Sequence, residues 1–249
     1  MTGMVTFLRF EVLRLLRNVR YVGISVGFPV VFYILFLNNE HPSAHIAGTT
    51  WRTYFMVSMA SFGAMVAALN AGGTRLAAER ASGWTRQLRV TPLPSWSYVA
   101  TKIAASMVIV LPVICLVEVT GVVLGGVRLG LGTWAVLTVV LWASAVPFAS
   151  LGVLVGFVAS SETAYPLVTA LMFLLSFFGG LFTPVTDLPT ALRHVASFLP
   201  SFHDASLGWA VVAGRGPGLT HGAVLLGYAV LLGLAVTWRH RVEESRAFA

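Results

Sequence analysis

Long apolar runs are the feature that most restricts how this chain can fold. Six of them, at about residues 21–37, 53–74, 99–124, 133–158, 164–182 and 219–238, contain few charges. A helix of about 20 apolar residues crosses the roughly 30 Å hydrocarbon core of a bilayer. Over the whole chain 57% of residues are hydrophobic and 10% are charged, unlike a soluble domain. The sequence therefore predicts an all-α polytopic membrane protein with six transmembrane helices in one domain, residues 1–249.

The composition argues against several other classes of protein. Cys115 is the single cysteine, so no disulfide framework is expected. His41 and His45 have a spacing that could hold a metal on a helix. Pro42 between them disfavours a helix and no third ligand is near, so no metal site is predicted. The arginines flank apolar runs without forming a continuous basic face, which argues against nucleic-acid binding. No Walker A loop or nucleophile elbow is present, and the only adjacent acids, Glu243 and Glu244, lie in the tail, so no catalytic residue is predicted.

A charged segment, Arg75 to Pro94, lies between the second and third runs and is called the charged island below. It holds four of the fifteen arginines and one of the nine acidic residues. Helical spacing gives an apolar stripe of Ala77, Ala81, Trp84 and Leu88 opposite a polar stripe of Arg75, Glu79, Ser82 and Arg86. This pattern predicts a short amphipathic helix at the membrane surface that ends before Pro92. Two interpretations remain open: a basic loop that only orients the protein, or a docking surface for a soluble partner.

Two other segments are predicted to lie along the membrane surface. Residues 2–20 carry four arginines and suit an interfacial helix on the cytoplasmic leaflet, or a simple basic flank to the first span. Residues 183–217 contain helical pieces too short to span, which suits interfacial or re-entrant helices. Twelve of the sixteen arginines and lysines fall in residues 2–20, in 75–102 and in the tail after residue 238. Positive residues favour the inside, so both termini and the island are expected to be cytoplasmic and 183–217 extracellular.

Glu118 is an acidic residue inside the third apolar run. An acid in a span usually faces protein or water, because lipid cannot solvate its charge. One interpretation is a polar spot on a transport path or gate. The other is a structural carboxylate near the outer interface, bonded to a neighbouring helix. The second is favoured, because Glu118 lies only about six residues from the end of the run.

Glycine pairs at spacing four are a further feature of the apolar runs. They are Gly23 with Gly27, Gly121 with Gly125, and Gly152 with Gly156. Such pairs let helices approach closely, so they indicate helix packing without choosing a dimer face.

Two motifs resemble the membrane subunit of ABC-type exporters, specifically the type-2 permease family related to antibiotic-resistance exporters. The first motif consists of Glu79, Arg80, Gly83, Leu88, Thr91, Pro92, Leu93, Pro94, Tyr98 and Lys102, and resembles the family's cytoplasmic loop between spans two and three. The second consists of Phe178, Gly179, Gly180, Pro184, Leu188, Pro189, Leu192 and Pro200, and resembles the segment after span five. Trp84 and Thr85 depart from the family pattern.

This resemblance implies a membrane-spanning export subunit in the inner or plasma membrane, powered by a separate ATPase subunit. The working unit would contain two ATPase chains, which hold ATP and magnesium, and a second permease chain, expected to be identical. This chain itself would bind no cofactor and would contact membrane lipid. The expected substrate is a hydrophobic or amphipathic drug, antibiotic or lipid-like molecule moved by alternating access.

The resemblance also implies two sets of site residues. The expected contacts with the ATPase subunit are Arg75, Glu79, Arg80, Gly83, Trp84, Arg86, Gln87, Leu88, Arg89, Thr91 and Pro92. The expected substrate pathway is lined by Phe62, Met65, Asn70, Glu118, Phe173, Phe177 and Phe178, of which each alone is also compatible with ordinary helix packing. Two alternatives stay open at this point: an integral membrane enzyme acting on lipids, and a channel or structural subunit that works without ATP.

Overall fold

The computed structural model of the chain describes residues 19–38, 45–83 and 95–247. Within these ranges there are nine α-helices: α1 (Val19–Phe36), α2 (Trp51–Ala81), α3 (Ser95–Val123), α4 (Leu131–Ser144), α5 (Val146–Val158), α6 (Ala164–Phe178), α7 (Thr190–Ala196), α8 (Pro200–Val212) and α9 (Leu219–Ala247). A short hairpin of β1 (His45–Ile46) and β2 (Thr49–Thr50) precedes α2, and a 3₁₀ turn (Val185–Asp187) precedes α7. The predicted interfacial helix lies outside the described residues, apart from its last two positions.

The predicted all-α membrane fold is confirmed in its main features. Among the described residues, four helical stretches are long and apolar enough to cross a membrane: α2, Ser97–Val123 within α3, the α4–α5 pair, and Leu219–Val242 within α9. Two shorter apolar helices, Gly27–Phe36 and Ala164–Phe178, occupy the places of the predicted first and fifth spans. The chain is therefore a multi-pass membrane protein, and the count of six spans stays a prediction.

Helix α2 forms the centre of the bundle. It is almost entirely buried and packs against α1, α3, α5, α6 and α8. Its length corrects the predicted boundaries, because residues 75–81 continue α2 and do not begin a separate surface helix. Leu76 and Ala77 are buried in this extension, which adds packing that the apolar pattern alone did not reveal. The helix ends where Gly83 adopts a positive φ of 76°, a conformation that glycine reaches without strain.

The backbones of α2 and α5 touch at three glycines. A Cβ atom on Gly152 would lie 2.7 Å from the Leu69 carbonyl oxygen, and one on Gly156 would lie 2.7 Å from the Gly72 carbonyl oxygen. A Cβ atom on Gly72 would lie 2.6 Å from the Val153 nitrogen. No side chain fits these gaps without a backbone shift, since real Cβ contacts are longer. The predicted Gly152–Gly156 pair therefore packs within the chain.

The segment after α6 consists of short helical pieces, as the sequence predicts. Helix α8 packs against α2, α4 and α9. The Trp209 side chain of α8 donates a hydrogen bond to the Tyr54 carbonyl over 3.2 Å, and the two rings stack with centroids 4.5 Å apart. Arg215, beyond α8, donates to the Ala47 carbonyl in the β1–β2 turn over 2.6 Å. These contacts tie α8 to one end of α2.

Substitution of Gly152 by alanine should destabilise the folded chain. The added Cβ meets backbone atoms that cannot rotate away, and overpacking of this kind typically costs about 1–3 kcal/mol. The measurement is the apparent melting temperature of the purified chain in detergent. Gly227→Ala is the matched control, because a Cβ at Gly227 in α9 meets nothing within 4 Å. Equal melting of the two variants would show that the α2–α5 contact does not need glycine.

The two ends of the bundle should lie on opposite sides of the membrane. Ser82 and Thr190 are both exposed, so cysteines at these positions can react with a membrane-impermeant reagent. In a Cys115→Ser background, the positive-inside rule predicts labelling of Thr190→Cys in intact cells and of Ser82→Cys only after the membrane is opened. Labelling of both positions from outside would contradict the predicted topology.

Candidate functional site

An ionic cluster of Arg75, Glu79, Arg80 and Lys102 lies where α2 meets α3 and α5. The Glu79 carboxylate is only 3% exposed and accepts a hydrogen bond from Lys102 Nζ at 2.5 Å. It also accepts a bond from Arg75 Nε, one helical turn earlier, at 3.3 Å. Lys102 is 4% exposed, so the Glu79–Lys102 pair is shielded from water. Pairing of this kind is what makes two buried charges tolerable.

Arg80 connects the same end of α2 to α5. Its Nη1 donates to the Gly156 carbonyl at 2.9 Å and lies 3.4 Å from the Ala159 carbonyl. The last carbonyls of a helix lack partners within the helix and carry the negative end of its dipole, so a guanidinium stabilises them. The end of α2 is thus bonded to α3 through Glu79 and to α5 through Arg80.

The ionic cluster changes the interpretation of the polar stripe in the charged island. That stripe was expected to face away from the apolar surface, yet Glu79 is buried between two helices. One of its partners is Arg75, a helical turn earlier on the same helix. Lys102 as a second partner was missed. The signal was present, since the only lysine lies inside an apolar run and needs a counter-ion, and Glu79 is the only acid of the island.

The rest of the predicted ATPase contact falls mostly outside the described residues. This concerns Trp84, Arg86, Gln87, Leu88, Arg89, Thr91 and Pro92. Gly83 is described and ends α2, so the remainder of the island begins directly at the end of the central helix.

Three of the phenylalanines predicted to line a pathway lie in one aromatic group. Phe62 of α2 packs against Phe182 with ring centroids 5.1 Å apart, and Phe182 packs against Phe177 at the same distance. Phe173 stacks on Phe177 at 6.2 Å, one turn earlier on α6. Phe28 of α1 adds a contact with Phe62 at 5.6 Å. Phe28 and Phe182 were not predicted, because their proximity depends on how α1 and the loop after α6 pack on α2.

The other predicted pathway residues have different surroundings. Met65 is fully buried in α2. Asn70 is half-buried and donates to the Val66 carbonyl of its own helix at 3.0 Å. Phe178 is half-buried at the end of α6. The structure therefore shows the surroundings of these side chains, and their place on a substrate pathway stays a prediction.

Glu118 has the neighbour that its structural interpretation requires. Its Oε2 accepts a hydrogen bond from the Thr138 hydroxyl of α4 at 2.7 Å. The carboxylate is buried between α3 and α4. A bond to a neighbouring helix is the arrangement favoured from the sequence, whereas a role in transport stays a prediction.

The fold defines the class of protein: several membrane-length apolar helices packed around α2 make an integral membrane protein. Residues 47–238 match the family described as ABC-2 family transporter protein, so the chain belongs to this family. It is also 28% identical over 235 residues to a protein of Bacillus subtilis (strain 168) that is named as a transport permease, YvfS. That match covers 94% of this chain and 96% of the relative. The chain is thus a membrane transport permease subunit, and family membership indicates a transport role rather than an enzymatic one.

Removal of one partner from the Glu79–Lys102 pair should destabilise the chain more than removal of both. Breaking a buried pair by deleting one partner typically costs about 3–5 kcal/mol, since the other charge stays buried. Glu79→Gln should therefore lower the apparent melting temperature in detergent, and Glu79→Gln combined with Lys102→Met should recover part of the loss. The control is Arg241→Gln, because Arg241 is exposed. A double variant that is less stable than Glu79→Gln alone would contradict this assignment.

Proposed function

We propose that this chain is the membrane-spanning subunit of an ATP-driven exporter of hydrophobic or amphipathic molecules. The observation that carries the proposal is the continuity of the central helix with the charged island. Helix α2 runs from one end of the bundle to Gly83, and its last turns are bonded to α3 and α5. A soluble subunit that pushes on the island would therefore move three helices together.

The energy source is a separate ATPase subunit. Membership of the ABC-2 family implies such a partner in general, and the sequence contains no Walker A loop of its own. Two ATPase chains and a second permease chain complete the proposed working unit. Closure of the ATPase pair on ATP then rocks the two membrane bundles and alternates access to the substrate.

The charged island supplies the docking contacts in this proposal. Arg86 and Arg89 offer guanidinium groups for charge-assisted hydrogen bonds, each typically worth about 1.5–3 kcal/mol. Trp84 and Leu88 offer apolar anchors for a groove of the partner. Glu79 is buried, so it contributes by fixing the end of α2 and not by direct contact with the partner.

The aromatic group supports the proposed class of substrate. Phe28, Phe173 and Phe177 are exposed on the single chain, and they adjoin the buried Phe62. Aromatic faces bind hydrophobic and amphipathic bodies without demanding a fixed pattern of hydrogen bonds. A second chain that faces α1 and α6 would enclose these rings and form a substrate path between the two bundles.

Charge reversal in the island should uncouple the permease from its ATPase. The double variant Arg86→Glu, Arg89→Glu is expected to insert normally but to lose co-purification with the ATPase subunit, since two attractive contacts become repulsive. ATP-dependent export of an amphipathic dye from cells or proteoliposomes should fall on the order of tenfold or more.

Arg246→Glu in the C-terminal tail is the matched control and should keep both co-purification and export. Full export by the double variant would contradict the coupling role of the island and return it to the purely orienting interpretation. Dye movement that needs no ATP in the unmutated complex would instead favour a channel.

A further inference from the structure

A buried polar cluster of Ser61, Ser144 and Asp204 lies between α2, α4 and α8 and shares no residue with the ionic cluster. Asp204 is 1% exposed and Ser61 is fully buried. Each residue comes from a different helix, so the cluster exists only while α8 is packed against the two others. Ser144 is the last residue of α4, beside the break at Ala145 that separates α4 from α5.

The cluster satisfies only part of its hydrogen-bonding capacity. The Ser144 hydroxyl donates to Asp204 Oδ1. The Ser61 hydroxyl faces the same carboxyl group. Within the described part of the chain, Asp204 Oδ2 and Ser61 Oγ are both buried and make no hydrogen bond of ordinary geometry. A buried polar atom without a hydrogen bond lowers the stability of the folded chain, so each such atom needs a physical explanation.

Charged and titratable groups around the cluster are few. On α8 itself the adjacent His203 is bonded to His221 of α9, with 2.7 Å between their Nδ1 atoms, and to the Ser197 carbonyl. Helix α4 has no titratable side chain, and α6 has only Tyr165 at its far end. On α2 the nearest titratable residue is Tyr54, about two turns from Ser61. The cluster thus has no cationic side chain facing the Asp204 carboxyl among the described residues.

These surroundings favour the neutral carboxylic acid. A buried carboxylate without a counter-ion loses its hydration and gains little in return, whereas the acid carries no charge. The proton on Oδ2 can then be donated to the Ser61 oxygen while Oδ1 accepts from Ser144. Burial accordingly raises the pKa of Asp204 to about 7.

We propose that Asp204 is a proton-binding site whose proton holds α8 against α2 and α4. Release of this proton breaks the O–H bond of the carboxyl and transfers the proton to water. The buried anion that remains favours separation of α8 from the bundle. This inference concerns the segment between α6 and α9, and it does not require the proposed ATPase partner or substrate.

The direction of the pH effect follows from proton linkage. The Asp204 carboxyl binds its proton more tightly in the packed bundle than it would in water, where the pKa of an aspartic acid is about 3.9. The contribution of the proton to packing is therefore complete below about pH 4 and is lost as the pH rises to about 7. Helix α8 should be held more firmly in acid than at neutral or alkaline pH.

Hydrogen–deuterium exchange of the α8 amides, in the full chain reconstituted in lipid nanodiscs, tests this inference. Rates corrected for intrinsic exchange should be on the order of a hundredfold slower at about pH 5 than at about pH 8 in the unmutated chain. Asp204→Asn should be slow at both pH values, because its amide donates to Ser61, accepts from Ser144 and cannot ionise. Retention of the full pH dependence by Asp204→Asn would overturn the proposal.

Two matched variants identify the titrating group. Asp187→Asn removes an exposed acid of the same segment and should keep the unmutated pH dependence. His203→Gln removes the neighbouring histidine and should keep it too. If His203→Gln loses the pH dependence and Asp204→Asn keeps it, the effect belongs to the histidine pair and the proposal is contradicted.

Infrared difference spectra of the unmutated chain report the protonation of the carboxyl group itself. Between acid and alkaline pH the unmutated chain should lose the C=O band of a buried carboxylic acid. Glu118→Gln should retain this band, which distinguishes Asp204 from Glu118, another buried acid of the bundle. A spectrum without any buried carboxylic-acid band in acid would overturn the inference.

Discussion

Helices α2 and α5 contact each other directly through their backbones at the centre of the bundle. Gly72, Gly152 and Gly156 remove the side chains that would otherwise separate the two helices. Apolar surface gives little drive for helix association within lipid, so close packing and polar bonds must supply it. Arg80 of α2 adds such a bond to the carbonyl of Gly156, at the carboxyl end of α5. Together these contacts hold α2 and α5 side by side, and other helices of the bundle pack against them.

Helix α2 connects two chemically different parts of the bundle. At the end of α2 that leads into the charged island, Glu79 and Lys102 form a buried ion pair next to the segment that we propose as the docking surface. Toward the other end, Asp204 and its serine neighbours form a cluster that is stable as a neutral acid. The Glu79–Lys102 pair resists separation of α2 from α3, because its two charges compensate each other. The Asp204 cluster depends on one proton, so we propose that α8 is the helix whose packing changes with pH.

The sequence predicted the features that depend on local chemistry. Apolar length predicted the membrane helices, and short polar pieces predicted the helices of residues 183–217. The end of α2 at Gly83 was not predicted, since the charged island was expected to form one surface helix that ends before Pro92. The pattern could not show that α2 continues through Leu76, because burial there comes from α5 and other distant segments. The Lys102 partner of Glu79 and the surroundings of Asp204 were missed for the same reason: each depends on a contact between separate helices.

We propose that α2 and α5 move as one unit during transport. The most direct test joins Ser82 and Glu162, which are exposed near the adjacent ends of the two helices, through cysteines and a short bifunctional thiol reagent in a Cys115→Ser background. ATP-dependent transport by the assembled complex is then compared before and after crosslinking. Transport is expected to persist, because the tether joins two helices that already contact each other along their backbones. Loss of transport on crosslinking, with recovery when the tether is cleaved, would show that α2 and α5 separate and would contradict it.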